Sequence, residues 1–283
     1  MSAMTPNPLI SVIVAVFNGD KTLQQCIDSV AQQNYANKEL IIIDGGSKDE
    51  TPDLLESNQQ KISYWISEPD TGVYNAWNKG LLKAKGEWIC FLGADDYFLD
   101  AQVLERMAAQ LLTVPSEICV AYGQVMLLNN IGESLYPIGE PWRVVRERFK
   151  QVMCVPHPGL MHRRSLFDRR GNFDESFRIG GDYELLLREL KTGEAMFIPG
   201  IITVAMRQGG ISSSPSNAIE AMQESRRAQR MHGQYFPGLF WIMAMARVYF
   251  RLLLTNLMGE KMARKLLDLA RQIKGLPPYW TKT

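Results

Sequence analysis

Short apolar runs alternate with amphipathic segments along the first hundred residues. Runs at residues 9–17, 39–43 and 88–92 are apolar at nearly every position, which indicates strands buried on both faces. Residues 21–33 and 72–84 repeat their apolar positions at helical spacing. With a shorter strand at 62–67 and a helix at 47–57, this alternation predicts an α/β fold with right-handed crossovers and a mostly parallel sheet.

The second half of the chain is predicted to be less regular. It contains, in order, a helix at 101–112, a strand at 118–126, a turn-rich stretch at 129–150, a helix at 182–190 and a strand at 197–206. A Gly/Ser-rich segment from Arg207 to Asn217 is expected to be a mobile loop, and the pattern from Ala218 onward is helical. We therefore predict an α/β domain over 1–216 and an amphipathic helical region over 217–283.

Each predicted strand of the first half ends in a polar feature. These ends are Phe17-Asn18, Asp44 before a Gly-Gly-Ser turn, and Asp95-Asp96. The carboxyl ends of parallel strands meet at one edge of a sheet, where ligands bind, so we expect a single cleft in a Rossmann-like nucleotide-binding half. Paired carboxylates there suit a hard divalent cation that holds a diphosphate, although a loop that caps the next helix would use the same residues.

Four segments in this order resemble the inverting glycosyltransferases of family two, which have the GT-A fold. They are VIVAVFN (12–18), IIIDGGSKDET (41–51), SEPDTGVYNAWNKGLLKAKGEWICFLGADD (67–96) and GGDYELLLR (180–188). The resemblance covers roughly residues 9–215. The third segment looks most like the bacterial branch that builds surface polysaccharide or O-antigen repeat units.

The resemblance implies donor-binding roles for several residues. Phe17, followed by Asn18, matches the aromatic that packs on the donor base, and Asp44 matches the acid that accepts from the base, typically uracil. Asp70 and Lys79 match polar positions that line the nucleotide-sugar site. The alternatives are core packing for Phe17, a helix cap for Asp44 and a solvated salt bridge for Lys79.

The resemblance also implies the reacting groups. Asp95, with Asp96 beside it, matches the metal-binding acid of the DxD motif, with Mn²⁺ or Mg²⁺ as cofactor. Asp182 matches the general base, for which an N-cap is the alternative, and Arg207 is expected to meet the diphosphate as a fixed cation. His157 falls where relatives place acceptor-side residues; otherwise it is a buried, hydrogen-bonded ring.

The chain departs from the family pattern at three glycines. Gly93 replaces the first acid of the DxD motif, Gly45 the second acid of the usual DDGS pattern, and Gly181 the acid that often precedes the base. A metal-binding His found in some relatives has no counterpart in the 207–216 segment. These differences put metal affinity in question more than the fold.

The resemblance implies transfer of a sugar from a nucleotide-sugar, typically a UDP-sugar, to a hydroxyl of a glycan or polyprenyl-diphosphate-linked acceptor, with inversion. Other functions stay open. A nucleotidyltransferase would normally show a Gly-rich basic loop after the first strand, and a nucleotide- or glycan-binding module would explain a degenerate metal site. A dehydrogenase is disfavoured because no GxGxxG follows the first strand.

Charge is distributed unevenly along the chain. Residues 201–283 hold twelve Lys/Arg and four Asp/Glu, a net of +8, against −7 for the rest. The apolar segment Phe236 to Met258 carries two arginines, so we expect an amphipathic helix at a membrane interface, with packing on the catalytic domain or a second subunit as the alternative. Four scattered cysteines and no signal peptide favour a cytoplasmic protein, peripheral on the inner membrane, and no nucleic-acid motif is present.

Overall fold

A nine-stranded mixed sheet lies at the centre of the described chain. The computed structural model describes residues 7–129, 131–208, 210, 215–273 and 275–282. The strands are β1 (Ile10–Val16), β2 (Lys38–Asp44), β3 (Tyr64–Ser67), β4 (Trp88–Gly93), β5 (Tyr97–Phe98), β6 (Val120–Leu128), β7 (Ser134–Ile138), β8 (Met161–Arg163) and β9 (Met196–Arg207).

Helices connect the strands and form the carboxyl-terminal region. They are α1 (Leu23–Ala31), α2 (Thr51–Ser57), α3 (Val73–Lys83), α4 (Val103–Leu111), α5 (Trp142–Phe149), α6 (Arg164–Arg170), α7 (Gly181–Leu190), α8 (Pro215–Met231), α9 (Leu239–Met258) and α10 (Glu260–Ile273), with a short 3₁₀ turn at Gln59–Lys61. The strands and helices predicted in the first hundred residues are all confirmed.

The sheet has the order β3-β2-β1-β4-β8-β6-β9-β5, with β7 paired to β6. β3, β2, β1 and β4 are parallel, as their helical crossovers require. β8 runs antiparallel to both β4 and β6, whereas β6 and β9 are parallel. The parallel first half is therefore extended by a mixed second half.

Successive residues of the central strands contribute to opposite sides of the sheet. Val12 and Val14 belong to a core cluster that includes residues of α1 and α4, whereas Ile13 belongs to a second cluster with residues of α3 and α7. Both sides are covered, which explains why β1, β2 and β4 read as continuous apolar runs.

The turn-rich prediction for residues 129–150 is wrong for most of that stretch. It contains β7 and α5, and α5 buries Trp142, Val145 and Phe149, which share one helix face. The helix carries charged residues at most other positions, and these obscured its short apolar stripe. Of the 207–217 segment, predicted as a mobile loop, residues 209 and 211–214 lie outside the described residues. β9 ends at Arg207 and α8 begins at Pro215, so the last three residues of the segment are helical.

The carboxyl-terminal helices differ in how they pack. α8 buries Ala228 and Gln229, and His232 just beyond it contacts Glu184 of α7. α9 has no buried residue. The division at residue 216 thus falls at the start of a helix that contacts α7, and it stays a prediction. Within the described part of the chain, no helix combines the length and apolarity needed to cross a membrane.

Candidate active site

The carboxyl ends of β1, β2 and β4 lie side by side. Val16 is paired with Asp44, and Ala15 with Gly93. The polar residues that follow these strands therefore share one edge of the sheet, as predicted from the sequence.

Phe17 and Asn18 form an exposed corner after β1. The Phe17 side chain is 64% exposed, which excludes the core-packing alternative and leaves its ring available to a ligand. Asn18 has φ of 51°, a left-handed conformation that Asn tolerates. Its N–H donates to Ser47 Oγ at 2.7 Å, and its Oδ1 accepts from Lys48 N at 2.9 Å. The corner is thus fixed to the loop after β2.

Asp44 is fully buried at the end of β2. Its Oδ2 accepts hydrogen bonds from Ser47 N at 3.1 Å and Ser67 Oγ at 2.5 Å, and its Oδ1 accepts a short bond from Ser47 Oγ. The carboxylate fixes the turn after β2 and joins it to β3. It does not cap α2, whose N-cap position is Glu50.

Asp70 and Lys79 stabilise the segment that leads into α3. Asp70 Oδ1 accepts from Gly72 N at 2.9 Å, and its Oδ2 lies 2.6 Å from the position a Cβ would take at Gly45. Lys79 Nζ contacts Glu68 Oε1 at 2.8 Å and Pro69 O at 3.0 Å. Lys79 therefore forms a salt bridge, which was the alternative to a donor-binding role.

Asp95, Asp96 and Arg207 come together at the end of β4. Asp96 is buried, and its Oδ1 accepts from Arg207 N at 3.1 Å. Burial raises the pKa of Asp96 well above its usual range, and the neighbouring Asp95 carboxylate adds to this. Burial also raises the pKa of Asp95, while the Arg207 guanidinium acts in the opposite direction. Two crowded carboxylates beside one cation form an electrostatically strained group.

This group offers part of a metal site. Asp95 Oδ1 and Asp96 Oδ2 lie 2.7 and 3.1 Å from the position of a Cβ at Gly93, so both carboxylates face the same small space. Carboxylate oxygens are suitable ligands for Mn²⁺ or Mg²⁺. Within residues 7–282 as far as they are described, no cluster of three or more His, Cys, Asp or Glu is placed to hold a metal. The remaining ligands would have to come from a bound diphosphate and water.

Asp182 is partly buried in the first turn of α7. Its Oδ1 accepts from Tyr183 N at 2.7 Å and lies 3.4 Å from the Tyr74 hydroxyl, which donates a short bond to Ile179 O. Burial raises the pKa of Asp182 to about 6, opposed by the bonds from Tyr183 and Tyr74 and assisted by the negative charge of Glu224. A carboxylate with this pKa can accept a proton near neutral pH.

Two further residues shape this region, and sequence reasoning assigned them no role. The Tyr74 ring lies 2.8 Å from the position of a Cβ at Gly181, so it packs directly on the backbone before Asp182. Glu224 accepts hydrogen bonds from the N–H groups of residues 178–180. Tyr74 lies inside the 67–96 segment, but its contact with Asp182, 108 positions away, has no local sequence signal.

His157 lies away from solvent in an aromatic cluster. Its ring is 6% exposed and stacks on Phe91 at 5.8 Å, with Trp77 at 5.2 Å and His162 at 5.1 Å between ring centroids. Burial lowers the pKa of His157 to about 3, so the ring is neutral. Contact with an acceptor would require the covering side chains to move.

Similar solved structures identify the fold. TarS of S. aureus in complex with UDP-GlcNAc aligns with a TM-score of 0.62 at 18% identity, over 93% of this chain and 77% of that one. The mannosyltransferase PcManGT from Pyrobaculum calidifontis in complex with GDP-Man and Mn²⁺ aligns with a TM-score of 0.62 at 17% identity, over 98% and 84%. The fold is that of the GT-A glycosyltransferases.

Sequence comparison gives the family. The model of the family described as "Glycosyl transferase family 2" matches residues 11–170, more than half of the chain. A PGL/p-HBAD biosynthesis glycosyltransferase of Mycobacterium bovis (strain BCG / Pasteur 1173P2) is 32% identical over 64% of this chain and 69% of its own length. An uncharacterized glycosyltransferase of Mycobacterium tuberculosis (strain CDC 1551 / Oshkosh) is 31% identical over 82% and 87%. The chain belongs to glycosyltransferase family 2, which sets aside the dehydrogenase, nucleotidyltransferase and binding-module alternatives.

Proposed function

We propose that this protein transfers a sugar from a nucleotide-sugar, a UDP-sugar, to a hydroxyl of a glycan or lipid-linked glycan acceptor, with inversion at the anomeric carbon, in cell-surface polysaccharide synthesis. The observation that carries the proposal is Asp182, a partly buried carboxylate with a pKa raised to about 6. The similar structures solved in complex with UDP-GlcNAc and GDP-Man, and the relative named for PGL/p-HBAD biosynthesis, support the substrate classes.

In the proposed reaction, Asp182 accepts the proton of the acceptor hydroxyl. The hydroxyl oxygen forms a bond to the anomeric carbon from the face opposite the nucleotide. The bond from that carbon to the diphosphate oxygen breaks, and the nucleoside diphosphate leaves with the electron pair. General base catalysis contributes roughly 100- to 10,000-fold, and positioning and electrostatics contribute the rest.

The group at the end of β4 is proposed to stabilise the negative charge that develops on the leaving diphosphate. Asp95, with Asp96, would hold Mn²⁺ or Mg²⁺, and a metal bound there would supply Lewis-acid stabilisation of the leaving group. Arg207 already lies against this carboxylate pair through its backbone N–H. Its guanidinium is suited to a diphosphate oxygen.

The corner after β1, formed by Phe17 and Asn18, is proposed to bind the base of the nucleotide-sugar. The exposed Phe17 ring offers a flat surface for stacking. Asn18, Asp70 and Lys79 are proposed to line the nucleotide beside it. Asp44 is proposed to accept from the base imide, a contact that would compete with its present bonds to Ser47 and Ser67.

Titration calorimetry of UDP, GDP and dTDP, each with and without Mn²⁺, tests the donor assignment. We expect UDP to bind most tightly, with a dependence on Mn²⁺ that Asp95→Asn abolishes. Asp182→Asn is expected to bind UDP normally but to lose transfer to a panel of synthetic glycoside acceptors. If no nucleotide binds, the proposed function is wrong. Full activity of the Asp182→Asn variant would remove the base from the mechanism.

The carboxyl-terminal helices are proposed to contact the cytoplasmic face of the inner membrane. Leu257 of α9 and Ile273 of α10 are 73% and 80% exposed, and they belong to a larger set of exposed apolar side chains on these helices. Arg247, Lys261 and Lys265 are exposed on the same two helices. Apolar side chains beside cationic ones suit an interface with anionic lipids.

Vesicle flotation tests this contact. We expect flotation with phosphatidylglycerol vesicles, little with pure phosphatidylcholine, and loss of flotation in the double variant Leu257→Ser with Ile273→Ser. Leu82→Ser is the matched control, since Leu82 is 78% exposed on α3 of the catalytic region. A wild-type protein that does not float would contradict membrane contact, and a double variant that floats as well as the Leu82→Ser control would show that these side chains do not make it. A dimeric mass lost only in the double variant would assign the surface to a second subunit.

A further inference from the structure

Glu224 of α8 contacts the backbone that leads into α7. Its Oε1 accepts from Arg178 N at 2.8 Å, and its Oε2 accepts from Ile179 N and Gly180 N, each at 2.7 Å. Three successive N–H groups directed at one carboxylate form an anion-binding concavity, and charge-assisted bonds of this kind are roughly twice as strong as neutral ones. The carboxylate therefore fixes a short segment that ends two residues before Asp182.

The packing around this contact leaves little freedom. A Cβ at Gly180 would lie 3.2 Å from Glu224 Cβ, so the absence of a side chain at residue 180 allows α8 to approach closely. On the other side, the Tyr74 ring packs on Gly181 and its hydroxyl bonds to Ile179 O. The segment before the base is thus held from α8 and from α3.

Other contacts of α8 with the same loop lie further from the base. Glu220 pairs with the Arg178 side chain at 2.7 Å, and Arg227 Nη1 donates to Ser176 O at 3.1 Å. These contacts dock the helix, whereas the Glu224 bonds reach the backbone adjoining α7. The distinction supplies a matched control on the same helix.

We propose that Glu224 is a positioning residue for the general base: it fixes the backbone of residues 178–180 and thereby sets where the Asp182 carboxylate points. The inference rests on the proposed function, in which Asp182 takes the proton of the acceptor. A displacement of about 1 Å in a catalytic group costs on the order of 100-fold in rate, so losing three bonds next to the base should be visible in kcat.

The negative charge of Glu224 has a second consequence. The groups that face Asp182 are Tyr74 from α3, Glu224 from α8 and the Tyr183 N–H of α7 itself. Of these, Glu224 raises the pKa of Asp182, whereas the other two lower it. Removing the charge should therefore let Asp182 lose its proton at lower pH, a change that a purely structural contact would not produce.

The test compares Glu224→Ala, Glu224→Gln and the control Glu220→Gln in the full-length protein. The probe is UDP-GlcNAc, or GDP-mannose if calorimetry favours the guanine nucleotide, with release of nucleoside diphosphate followed from pH 4.5 to 8.5. We expect Glu224→Ala to lower kcat about 100-fold while nucleotide affinity changes less than twofold. Glu224→Gln should move the acidic limb of kcat to lower pH, and Glu220→Gln should match the wild type.

Two results would overturn the inference: a folded Glu224→Ala protein with kcat within twofold of wild type, or a Glu224→Gln protein whose acidic limb stays in place. If Glu224→Ala does not fold, the acidic limb of Glu224→Gln decides. Asp182→Asn, measured in parallel, separates the two hypotheses. Normal activity in Asp182→Asn defeats the proposed function, whereas an inactive Asp182→Asn beside a normal Glu224→Ala defeats only the role of Glu224.

Discussion

Substituting Gly93 by Asp would restore the first acid of the family's metal motif, yet we expect it to destabilise the metal-free protein. A Cβ at this position would lie 2.7 Å from Asp95 Oδ1 and 3.1 Å from Asp96 Oδ2. A third carboxylate would then stand within about 4 Å of two others, where each pair of charges repels by roughly 4 kcal/mol at an effective permittivity near 20.

Protonation limits this penalty. Holding one added carboxyl protonated at pH 7 costs about 4 kcal/mol, because its usual pKa lies some three units lower and each unit is worth 1.36 kcal/mol. Gly93→Ala introduces the same Cβ without the charge. The free energy of unfolding of Gly93→Asp should therefore fall below that of Gly93→Ala by up to about 4 kcal/mol in a chelator.

Thermal unfolding of the wild type and both variants, in EDTA and in excess Mn²⁺, measures the effect. Bound Mn²⁺ would offset two of the three negative charges, and ligand at 100 times its Kd stabilises by about 2.7 kcal/mol, so Mn²⁺ should selectively raise the Tm of Gly93→Asp. Equal Tm values for Gly93→Asp and Gly93→Ala in EDTA would refute the crowding argument. A Gly93→Asp protein indifferent to Mn²⁺ would refute the assignment of a metal to this group.

Three other outcomes follow from the site. Gly181→Ala should lower kcat and cost about 1–3 kcal/mol in stability, because its methyl would overlap the Tyr74 ring. Unchanged kinetics and Tm in this variant would show that the ring can move aside. The activity should rise with pH through about 6, as Asp182 with its raised pKa must lose its proton to act as a base, and a profile flat from pH 5 to 8 would argue against this role. Phe17→Ala should weaken UDP binding by about 1–3 kcal/mol in calorimetry without changing Tm, because the ring is exposed. Leu82→Ala is the control, and an unchanged UDP affinity of Phe17→Ala would rule out stacking on this ring.

The sequence was sufficient for the parallel half of the sheet because its apolar runs are short, rich in β-branched residues and alternate with amphipathic helical segments. It also placed the polar strand ends at one edge, since the carboxyl ends of parallel strands meet there, and the observed register of β1 with β2 and β4 agrees. It could not predict α5, whose three buried residues are separated by charges. Nor could it predict the contacts of Tyr74 and Glu224 with the segment before Asp182, because these depend on how distant helices pack.

The three glycines that depart from the family pattern have one physical feature in common. At Gly45 the space of a side chain is taken by the carboxylate of Asp70, and at Gly93 by those of Asp95 and Asp96. At Gly181 it is taken by the Tyr74 ring. In the first two places a neighbouring carboxyl group therefore stands where the family pattern has an acid. In the third place an aromatic ring stands beside Asp182 instead of a charge, and burial raises the pKa of Asp182, which makes its carboxylate a stronger base. The loss of an acid at the first two of these motif positions thus leaves the carboxyl groups of Asp70, Asp95 and Asp96 in the same places.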